Sequence, residues 1–522
     1  MELLLQLLLA MGGLLICGFL CSLFSLLWLA PVGVSRRLRR NGFDGPSPNF
    51  PFGNLVEMSK KQHGSSSSAS ATASSCSSSF TNDIHSTVFP YFARWRKTFG
   101  KVFIYWLGTE PFLYIADPEF LKVVTSGTLS RKWGKPNVFK KDRKPLFGKG
   151  LLMVEGGDWA HHRHIISPAF SCTNLNAMIN LMEESTTKML DSWSKIVASG
   201  QKEIDVEREI TTNAAEIIAK TSFGLGEENG VRVFKKLRRL QATLFESNRL
   251  VGVPFSNLLY LKQTYKAWRL GREIDHLLLA IVEARARKGR GGQDLLSLLL
   301  AGEGEGEGKE KARKLTTREL VDECKTFFFG GHETTALALS WTLLLLAMYP
   351  EWQAALREEI AEHSAGGSLD SDGLSKLTKM SWVLNEVLRL YSPAPNVQRQ
   401  AREDIAIGES LVIPKGTNMW VDVVGLHHDA SLWGDDVNEF KPERFSAGAG
   451  GGCKHRMGFL PFGFGGRICV GRNLTLMEYK IVLSLILKRF SLQLSPKYKH
   501  EPRIMLSLRP SNGIQLVINP IN

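Results

Sequence analysis

The chain has 522 residues, of which 43% are hydrophobic and 22% charged, so it has enough apolar residues for the core of a large domain. Its 65 lysines and arginines exceed its 51 acidic residues and give a formal charge of +14. Such an excess suits nucleic acid, anionic lipid or an acidic protein, but no nucleic-acid module is present and we expect no nucleic-acid partner. The seven cysteines are scattered without framework spacing, which excludes a disulfide scaffold and favours a reducing compartment.

Residues 1–34 are predicted to be an N-terminal membrane anchor. The run Leu3–Ala30 is almost wholly apolar and exceeds the roughly 20 helical residues that cross a bilayer. No basic residue precedes it and no cleavage pattern closes it, so we expect the segment to be retained. Four arginines follow it, at Arg36, Arg37, Arg39 and Arg40. Positive charge on this side predicts a single span with the remainder of the protein in the cytosol.

Three further regions are predicted after the anchor. Residues 35–62 form a basic, proline-rich hinge, and Gly45–Pro51 is stiff because proline fixes φ and restricts its predecessor. Residues 63–82 contain the Ser/Ala tract Ser65–Ser79 and are predicted to be a disordered insertion. Residues 83–522 are predicted to form one catalytic domain.

This domain is predicted to be mainly α with a minor β region. Helical periodicity is clear at Leu175–Ala198, Glu207–Thr221 and Val231–Glu246. Strand-like segments are Val102–Leu107, Phe112–Ala116, Ile405–Ile407, Ser410–Ile413 and Leu506–Val517.

Trp159 and Arg163 are an aromatic residue and a cation four positions apart, which places both on one helix face. The pair would suit the acidic edge of a porphyrin, although the spacing alone is common.

Five basic residues precede this segment, at Lys140, Lys141, Arg143, Lys144 and Lys149. A solvated face is the default interpretation of such a cluster.

A very long helix is predicted over Thr316–Tyr349. Thr316 and Glu319 form a capping box, and Pro350 ends the run. Midway lies the glycine pair Gly330–Gly331, which removes side chains from the helix surface so that a flat ligand can approach the backbone.

Proton-handling groups follow this glycine pair directly. Glu333 and Thr334 place an acid and a hydroxyl beside the gap, and a threonine hydroxyl can bond the carbonyl of the preceding turn. A packing helix kinked by glycine explains the pair of glycines but not the acid and the hydroxyl. We expect no metal-ligand role for the neighbouring His332.

Glu386 and Arg389 are opposite charges three positions apart on one predicted helix, a pair that any exposed helix could contain. Arg444 supplies a second cation further along the chain. The basic residues Lys454, His455 and Arg456 then precede a glycine-rich loop. A solvated face is the default interpretation of this cluster too, and its position ahead of the loop makes an acidic electron-donor protein the alternative.

Cys469 is the most informative residue of the chain. It lies in the glycine-dense loop Phe462–Gly471, ahead of a helix predicted over Arg472–Leu487. Exposed backbone N–H groups and the positive end of that helix stabilise a thiolate. Because no second cysteine or histidine stands nearby at zinc spacing, the thiolate suits a single axial bond to haem iron. A buried structural cysteine is the alternative.

This loop resembles the cysteine-ligand loop of the cytochrome P-450 family, Phe-x-x-Gly-x-Arg-x-Cys-x-Gly, at all five fixed positions. The segment from Gly330 is similar to the family's oxygen-binding motif, and Trp159 with Arg163 to its haem-propionate motif. The stretches at 386–389 and 442–445 resemble its Glu-x-x-Arg and Pro-x-Arg-Phe motifs.

The resemblance implies a role for each of these residues. Cys469 would be the axial ligand of haem b, Thr334 the proton-relay hydroxyl and Glu333 the neighbouring acid. The implied haem contacts are Trp159, Arg163, Arg399, Phe462, Arg467 and Gly331. The implied buried triad, which would lock the cysteine loop, is Glu386, Arg389 and Arg444.

The resemblance also implies the cytochrome P-450 fold and a monooxygenase activity. The enzyme would use O2 to hydroxylate or epoxidise an apolar, terpenoid-like or plant-hormone-like molecule. Electrons would come from NADPH-cytochrome P-450 reductase, with cytochrome b5 as an additional candidate donor, at the endoplasmic reticulum membrane. The sequence at 83–86 and 331–334, together with the basic stretch that ends in Gly45–Pro46, is similar to plant microsomal enzymes of the seventy-two clan, and the sequence at 88–118 is similar to the 715-type subfamily.

Two other functions stay open at this point. A haem-thiolate isomerase or dehydratase of hydroperoxides would need neither O2 nor a reductase, but Glu333 and Thr334 would then have no use. A haem-binding sensor or membrane scaffold would need no catalytic residues. Pocket-lining candidates for the monooxygenase are Phe328, Phe329 and the Ala394–Val397 turn.

Overall fold

The computed structural model of the chain describes residues 1–60, 80–224, 227–247, 250–288, 294–301, 314–364, 370–408 and 411–521. The tract Ser65–Ser79, predicted to be disordered, lies outside the described residues. Phe80 and Asn82, placed in that insertion by the sequence, pack on the domain instead. The Phe80 ring centroid lies 4.4 Å from that of His500, and Asn82 Oδ1 accepts a 2.7 Å hydrogen bond from the Tyr391 hydroxyl. The packed domain therefore includes residues 80–82.

Helices dominate the described part of the chain, as predicted. Those before residue 290 are α1 Glu2–Phe24, α2 Ala30–Arg40, α3 Leu55–Ser59, α4 Ile84–Val88, α5 Pro90–Phe99, α6 Pro118–Val124, α7 Asn137–Phe147, α8 Gly156–Ile166, α9 Cys172–Asn176, α10 Ile179–Ala198, α11 Val206–Phe223, α12 Glu227–Ser247 and α13 Leu261–Lys288. The later ones are α14 Leu295–Ala301, α15 Thr317–Met348, α16 Pro350–His363, α17 Ser371–Lys376, α18 Thr378–Leu390, α19 Val423–His427, α20 Ala430–Trp433 and α21 Arg472–Arg489.

The strands are few and form small sheets. They are β1 Val102–Leu107, β2 Glu110–Ile115, β3 Trp133–Gly134, β4 Glu203–Asp205, β5 Asn396–Ala401, β6 Ile405–Ile407, β7 Leu411–Ile413, β8 Asn418–Asp422, β9 Phe490–Leu494, β10 Pro502–Met505, β11 Ser507–Pro510 and β12 Gln515–Pro520. The largest sheet has the order β1-β2-β8-β5-β3, with β2 and β8 parallel. A second sheet has the order β4-β12-β9, and β6–β7 and β10–β11 are hairpins.

The strand predicted at 506–517 is in fact two strands. Leu506 is the apex of the β10–β11 hairpin, and Gly513 turns the chain between β11 and β12 with a φ of +69°. A Cβ at Gly513 would lie 2.5 Å from Asp205 Oδ2. The turn there requires glycine both for its φ and for this close approach.

The N-terminal helix is long and apolar enough to cross a membrane. It runs without a break from α1 through a π-helical turn at Ser25–Leu29 into α2. The end of α2 docks on the domain, where Leu38 is buried and Arg37 Nη2 lies 2.6 Å from Asp404 Oδ2. Asn41 Nδ2 then donates to the Val412 carbonyl at 2.8 Å. The helix and its docking contacts therefore occupy the first residues of the hinge predicted at 35–62, ahead of its proline-rich stretch Gly45–Pro51.

The helix α15 runs through the core and is buried over most of its length. Its N-terminus has the predicted capping box, with the Thr316 N–H donating to Glu319 Oε2 at 2.7 Å and the Glu319 N–H to Thr316 Oγ1 at 3.2 Å. Phe328 stacks on Phe223 of α11, with ring centroids 4.3 Å apart. Phe328 is therefore a core residue, whereas Phe329 contacts Phe147 of α7.

Candidate active site

The Cys469 loop is held by its own backbone. The Cys469 N–H donates to the Phe462 carbonyl at 2.9 Å, so the predicted contact residue Phe462 closes the loop by its main chain. Gly463 and Gly465 have φ values of +77° and +63°, a region that favours glycine. The loop thus presents the cysteine at the N-terminal end of α21.

The environment of the Cys469 sulfur differs in part from the expectation. Burial raises the pKa of the thiol, while a hydrogen bond from the Gly471 backbone and the charge of Arg163 act in the opposite direction. The side chain is nevertheless exposed. The two observations agree if Sγ borders a cavity inside the domain. Since burial outweighs the N–H groups of the loop, a thiolate here would need a cation at Sγ.

Gly330 leaves an open place in the middle of the buried helix α15. The residue is exposed although Phe329 and His332 on either side are buried. A Cβ added at Gly330 would meet no atom within 4 Å. Beside it, the Thr334 hydroxyl donates to the Gly330 carbonyl at 2.7 Å, which is the bond expected from the sequence.

Gly331 does not have the predicted position at a cofactor. A Cβ there would lie 2.5 Å from Ile218 Cδ1 of α11, so the missing side chain permits close packing of the two helices. Consecutive helical residues differ in direction by about 100°, and Gly330 rather than Gly331 faces the open place. His332 is buried and its Nδ1 is bonded to the Phe328 carbonyl.

Glu333 is held by groups far away in the sequence. Its Oε1 accepts from Ser507 Oγ at 2.6 Å and from Gln241 Nε2 at 3.2 Å, and lies 3.4 Å from Arg509 Nη2. Burial alone would raise the pKa of this carboxyl. The charge of Arg509 and the two hydrogen bonds outweigh burial, so the pKa is lowered and the group is ionised. The sequence identified the acid but not these partners.

Arg399 and Arg467 are two half-buried cations close enough for the charge of one to affect the other. Burial, followed by the charge of Arg467, lowers the pKa of Arg399 to about 10, and burial also lowers the pKa of Arg467. Arg399 Nη1 donates to the Gln398 carbonyl and Arg467 Nη2 to the Val154 carbonyl. Within the described ranges, no carboxylate makes an ion-pair contact with either guanidinium.

Lys135 adds a third cation that sequence reasoning missed. Burial lowers the pKa of its amine well below the usual range, and the charges of Arg399 and Arg467 lower it further. No motif marks this lysine, because it follows β3 directly and approaches Arg399 only when β3 pairs with β5. An anionic group placed among these cations would relieve their mutual repulsion.

Trp159 and Arg163 lie on one face of α8, as predicted, and contact the cysteine loop. Arg163 Nη1 donates to the Ile468 carbonyl at 2.9 Å, and Arg467 Cζ lies 4.8 Å from the Trp159 ring centroid. A Cβ at Gly466 would lie 3.4 Å from Trp159. A cavity of 580 Å³ is lined by Trp159, Ala160, Arg163, His164, Ser167 and Pro168.

The triad predicted from the sequence comes together. Arg389 makes two 2.7 Å hydrogen bonds to Glu386, and Arg444 Nε lies 3.4 Å from Glu386 Oε1. Its connection to the cysteine loop is indirect. Arg389 Nη1 donates to the His427 carbonyl at 3.0 Å, and His427 Nε2 accepts from the Leu460 N–H at 2.9 Å, just ahead of the loop. The sequence did not identify His427 as the connecting residue.

The domain is mainly α, and it has a lone cysteine in a glycine-rich loop, a group of half-buried cations, and a long helix in which one glycine faces open space. These features together define the haem-thiolate class of proteins. The family model for cytochrome P450 matches residues 80–518. The chain therefore belongs to the cytochrome P450 family, and it is a cytochrome P450 monooxygenase.

Curated relatives span almost the whole chain. A cytokinin hydroxylase of Arabidopsis thaliana is 37% identical over 504 residues, covering 95% of this chain and 94% of the relative. Cytochrome P450 714C2 of Oryza sativa subsp. japonica is 36% identical, covering 97% of each chain. Among solved structures, the cytochrome P450DA heme domain has a TM-score of 0.72 at 23% identity, covering 84% of this chain and 94% of that one. This likeness confirms the predicted fold.

Haem b is the prosthetic group that this family implies, and the described residues fit it. Cys469 Sγ is exposed within an otherwise enclosed environment, which suits an axial ligand. The bare face at Gly330 leaves room for a flat ring. Arg399 and Arg467 are half-buried cations that match two carboxylates such as the propionates.

Proposed function

We propose that this monooxygenase hydroxylates or epoxidises an apolar small molecule of terpenoid or plant-hormone type. The observation that carries the proposal is the exposed Gly330 with the Thr334 hydroxyl bonded to its carbonyl, on a helix that is otherwise buried. This arrangement offers an open place beside one proton-handling group. The curated relative named cytokinin hydroxylase supports a plant-hormone type of substrate.

Each residue then has a specific task. Bound haem supplies the activation of O2. Cys469 would bind the iron, and Arg399, Arg467, Trp159 and Arg163 would hold and orient the haem edge. Thr334 would hold a proton at Oγ1, since this hydroxyl both donates to a carbonyl and retains lone pairs that accept. Glu333 would be the acid that neighbours the proton-relay hydroxyl. The triad of Glu386, Arg389 and Arg444 would hold the chain segment that precedes the cysteine loop.

The electron donor would be NADPH-cytochrome P-450 reductase, with cytochrome b5 as a second candidate. Lys454, Arg456 and Arg472 are exposed on either side of the cysteine loop. Exposed cations there complement an acidic protein surface and would steer its association at low ionic strength. The support is therefore electrostatic, and the association should weaken as salt is added.

The protein would span the endoplasmic reticulum membrane once, with its catalytic domain cytosolic. Support comes from the apolar helix α1 and the arginines after it. A second apolar surface joins α12 to α13, and its exposed members are Phe255, Leu258, Leu259, Leu261, Tyr265 and Trp268. Gly252 beside it accepts a 2.9 Å hydrogen bond from the Thr109 N–H at the β1–β2 turn. Contact of this surface with lipid would bring apolar substrate to the domain.

The assignment to a clan and subfamily rests on local sequence similarity alone. The segments at 83–86 and 331–334 favour the seventy-two clan, and the segment at 88–118 favours the 715-type subfamily. The curated relatives of plant origin are compatible with that placement.

A reduced carbon-monoxide difference spectrum tests the ligand assignment. Folded, haem-loaded protein should show the thiolate-type band, and a Cys469→Ala variant should lack it. A screen of terpenoids and plant hormones for shifts of the iron spin state would then identify substrates. Product formation in the absence of NADPH and reductase would contradict the monooxygenase proposal and favour a hydroperoxide isomerase or dehydratase.

A further inference from the structure

Helix α8 is bonded to two different parts of the domain through neighbouring residues. Arg163 Nη1 donates to the Ile468 carbonyl of the cysteine loop at 2.9 Å. His162, the preceding residue, faces another direction, since consecutive helical residues differ in direction by about 100°. Its Nδ1 lies 2.6 Å from Glu323 Oε1 of α15, and both side chains are buried. The helix α8 therefore connects the cysteine loop to α15.

Glu323 lies on the face of α15 that is open at Gly330. Seven residues make almost two full turns of an α-helix, so Glu323 and Gly330 share one face, about 10 Å apart along the helix axis. Thr334 continues this face on one side and Glu319 on the other. Glu319 Oε1 lies 3.7 Å from His162 Nε2. His162 therefore meets α15 on the face where the proposed haem site lies.

The two acids favour the charged form of His162. Burial acts to lower its pKa, but the hydrogen bond and the charge of Glu323, followed by the charge of Glu319, outweigh burial, so the pKa of His162 is raised. Burial raises the pKa of Glu323 as well, and the hydrogen bond from His162 acts against that shift. Both directions favour retention of the proton between the two residues. The contact is therefore a charge-assisted hydrogen bond, which is stronger than one between neutral groups.

The segment ahead of α8 is fixed on α15 by other contacts. The Lys149 N–H donates to Asp322 Oδ2 at 2.9 Å. A Cβ at Gly150 would lie 2.2 Å from Thr326 Oγ1, so the backbone of this segment packs closely on α15. These contacts do not involve His162. Loss of the bond between His162 and Glu323 should therefore loosen α8 while the segment at 148–151 keeps its place.

We propose that His162 is a positioning residue for haem, because its bond to Glu323 fixes the separation between the Cys469 loop and the open face of α15. Neither residue needs to touch the haem for this purpose. Trp159 and Arg163 lie on the same helix, so their approach to the haem edge depends on where His162 holds α8. This inference rests on the proposed function, in which α8 holds the haem edge.

Transfer of haem from the haem-loaded, full-length protein to an excess of another haem-binding protein tests the proposal. His162→Leu should speed haem loss by roughly 10- to 100-fold, the effect of one lost hydrogen bond to a charged group. It should also lower the share of the carbon-monoxide complex that shows the thiolate-type band. His162→Gln retains a donor for Glu323 and should keep the rate within about threefold of the unchanged protein.

Glu323→Gln is a second variant that leaves no buried charge without a partner. It should speed haem loss by about 3- to 10-fold, because neutral partners make a weaker bond than charged ones. This variant tests the proposal even where His162→Leu does not fold. An unchanged rate of haem loss in Glu323→Gln would overturn the inference.

His85→Leu and Asp422→Asn are the matched controls. His85 Nε2 lies 2.8 Å from Asp422 Oδ2 and both side chains are buried, but neither α4 nor β8 carries a proposed haem contact. Equal rates of haem loss in the His162 and His85 variants would overturn the inference, since any broken buried pair would then have the same effect.

Hydrogen exchange of the full chain gives a test that needs no haem. The amides of α8 should exchange faster in His162→Leu than in His85→Leu, because only the first substitution removes the bond from α8 to α15. Equal exchange of α8 in the two variants would also overturn the inference. Failure of the unchanged protein to bind haem would instead contradict the proposed function alone.

Discussion

Glu386 and Arg389 form a two-pronged ion pair on α18 in which neither side chain is exposed. Arg389 also donates to main-chain carbonyls at His427 and Val437. The desolvation of a buried guanidinium is offset when its carboxylate and carbonyl partners are all in place. Removal of one partner leaves the other charge buried and uncompensated.

Glu386→Gln should therefore lower the free energy of unfolding by about 3–5 kcal/mol, because Arg389 would be left as an uncompensated buried charge. Denaturant unfolding of the haem-loaded protein measures the loss. Asp372→Asn, in the exposed pair of Asp372 with Lys376, is the control and should cost less than about 1 kcal/mol. Equal losses of unfolding free energy in the two variants would show that the buried pair does not stabilise the fold more than the exposed pair does.

The stability of the protein should fall below neutral pH, in part because of His427. Burial, then the charges of His428 and Arg389, lower the pKa of His427 to about 3, against about 6.5 in an unfolded chain. Between these values the unfolded state binds more protons, so stability is lost as pH falls through this window. His427→Gln keeps an acceptor for the Leu460 N–H and should reduce the slope by roughly 0.8 kcal/mol per pH unit on average between pH 7 and pH 5.5, approaching about 1.4 kcal/mol per pH unit at lower pH.

Unfolding midpoints at pH 7 and pH 5.5 measure that slope. His363→Gln, at the end of α16, serves as the control and should leave the slope as it is in the unchanged protein. A slope that His427→Gln does not alter would mean that the histidine is charged in the folded state.

Thr334→Ala should uncouple electron use from product formation. In the proposed mechanism the hydroxyl holds a proton beside Gly330, and general acid–base groups contribute roughly 100-fold or more to rate. Product formed per NADPH oxidised, with a substrate found by the spin-state screen, should fall steeply. Thr335→Ala is the control because Thr335 Oγ1 faces Thr475 of α21 at 3.4 Å. Equal coupling in the two variants would exclude the relay.

Arg467→Ala should weaken the retention of haem. The guanidinium is half-buried and lies over the Trp159 ring, and a hydrogen bond to a charged group is worth about 1.5–3 kcal/mol, or roughly 10- to 100-fold in affinity. The rate at which haem passes to an excess of another haem-binding protein measures the effect. Arg402→Gln is the control, since Arg402 already has Glu155 as a partner at 2.6 Å. An unchanged rate of haem transfer in Arg467→Ala would show that this arginine does not hold the haem.

Local patterns could be predicted because their physics is local. The capping box at Thr316 and the Thr334 hydroxyl bond depend on residues three or four positions apart, and both are present. The ion pair of Glu386 and Arg389 depends on the same helical spacing. The contact of Arg444 with Glu386 came from family resemblance and not from spacing.

Long-range packing could not be predicted in this way. Which glycine of the pair faces open space depends on Ile218, more than a hundred residues earlier in the chain. The partners of Glu333 come from α12 and β11, and Lys135 meets Arg399 only in the folded sheet. One sequence contains no signal for such contacts, because each follows from the way separate elements pack.

The helix runs unbroken from Glu2 to Arg40, and its end is fastened to the domain by the burial of Leu38 and by the ion pair of Arg37 with Asp404. It is therefore a rigid connection. A flexible connection would instead let the domain rotate and present every face to the bilayer. A continuous helix that crosses a membrane, as proposed, would transmit its tilt to the domain, so that bilayer thickness would influence which surface meets the lipid. Replacing α2 with a glycine-rich stretch of equal length would abolish that dependence on lipid composition and leave the haem chemistry intact.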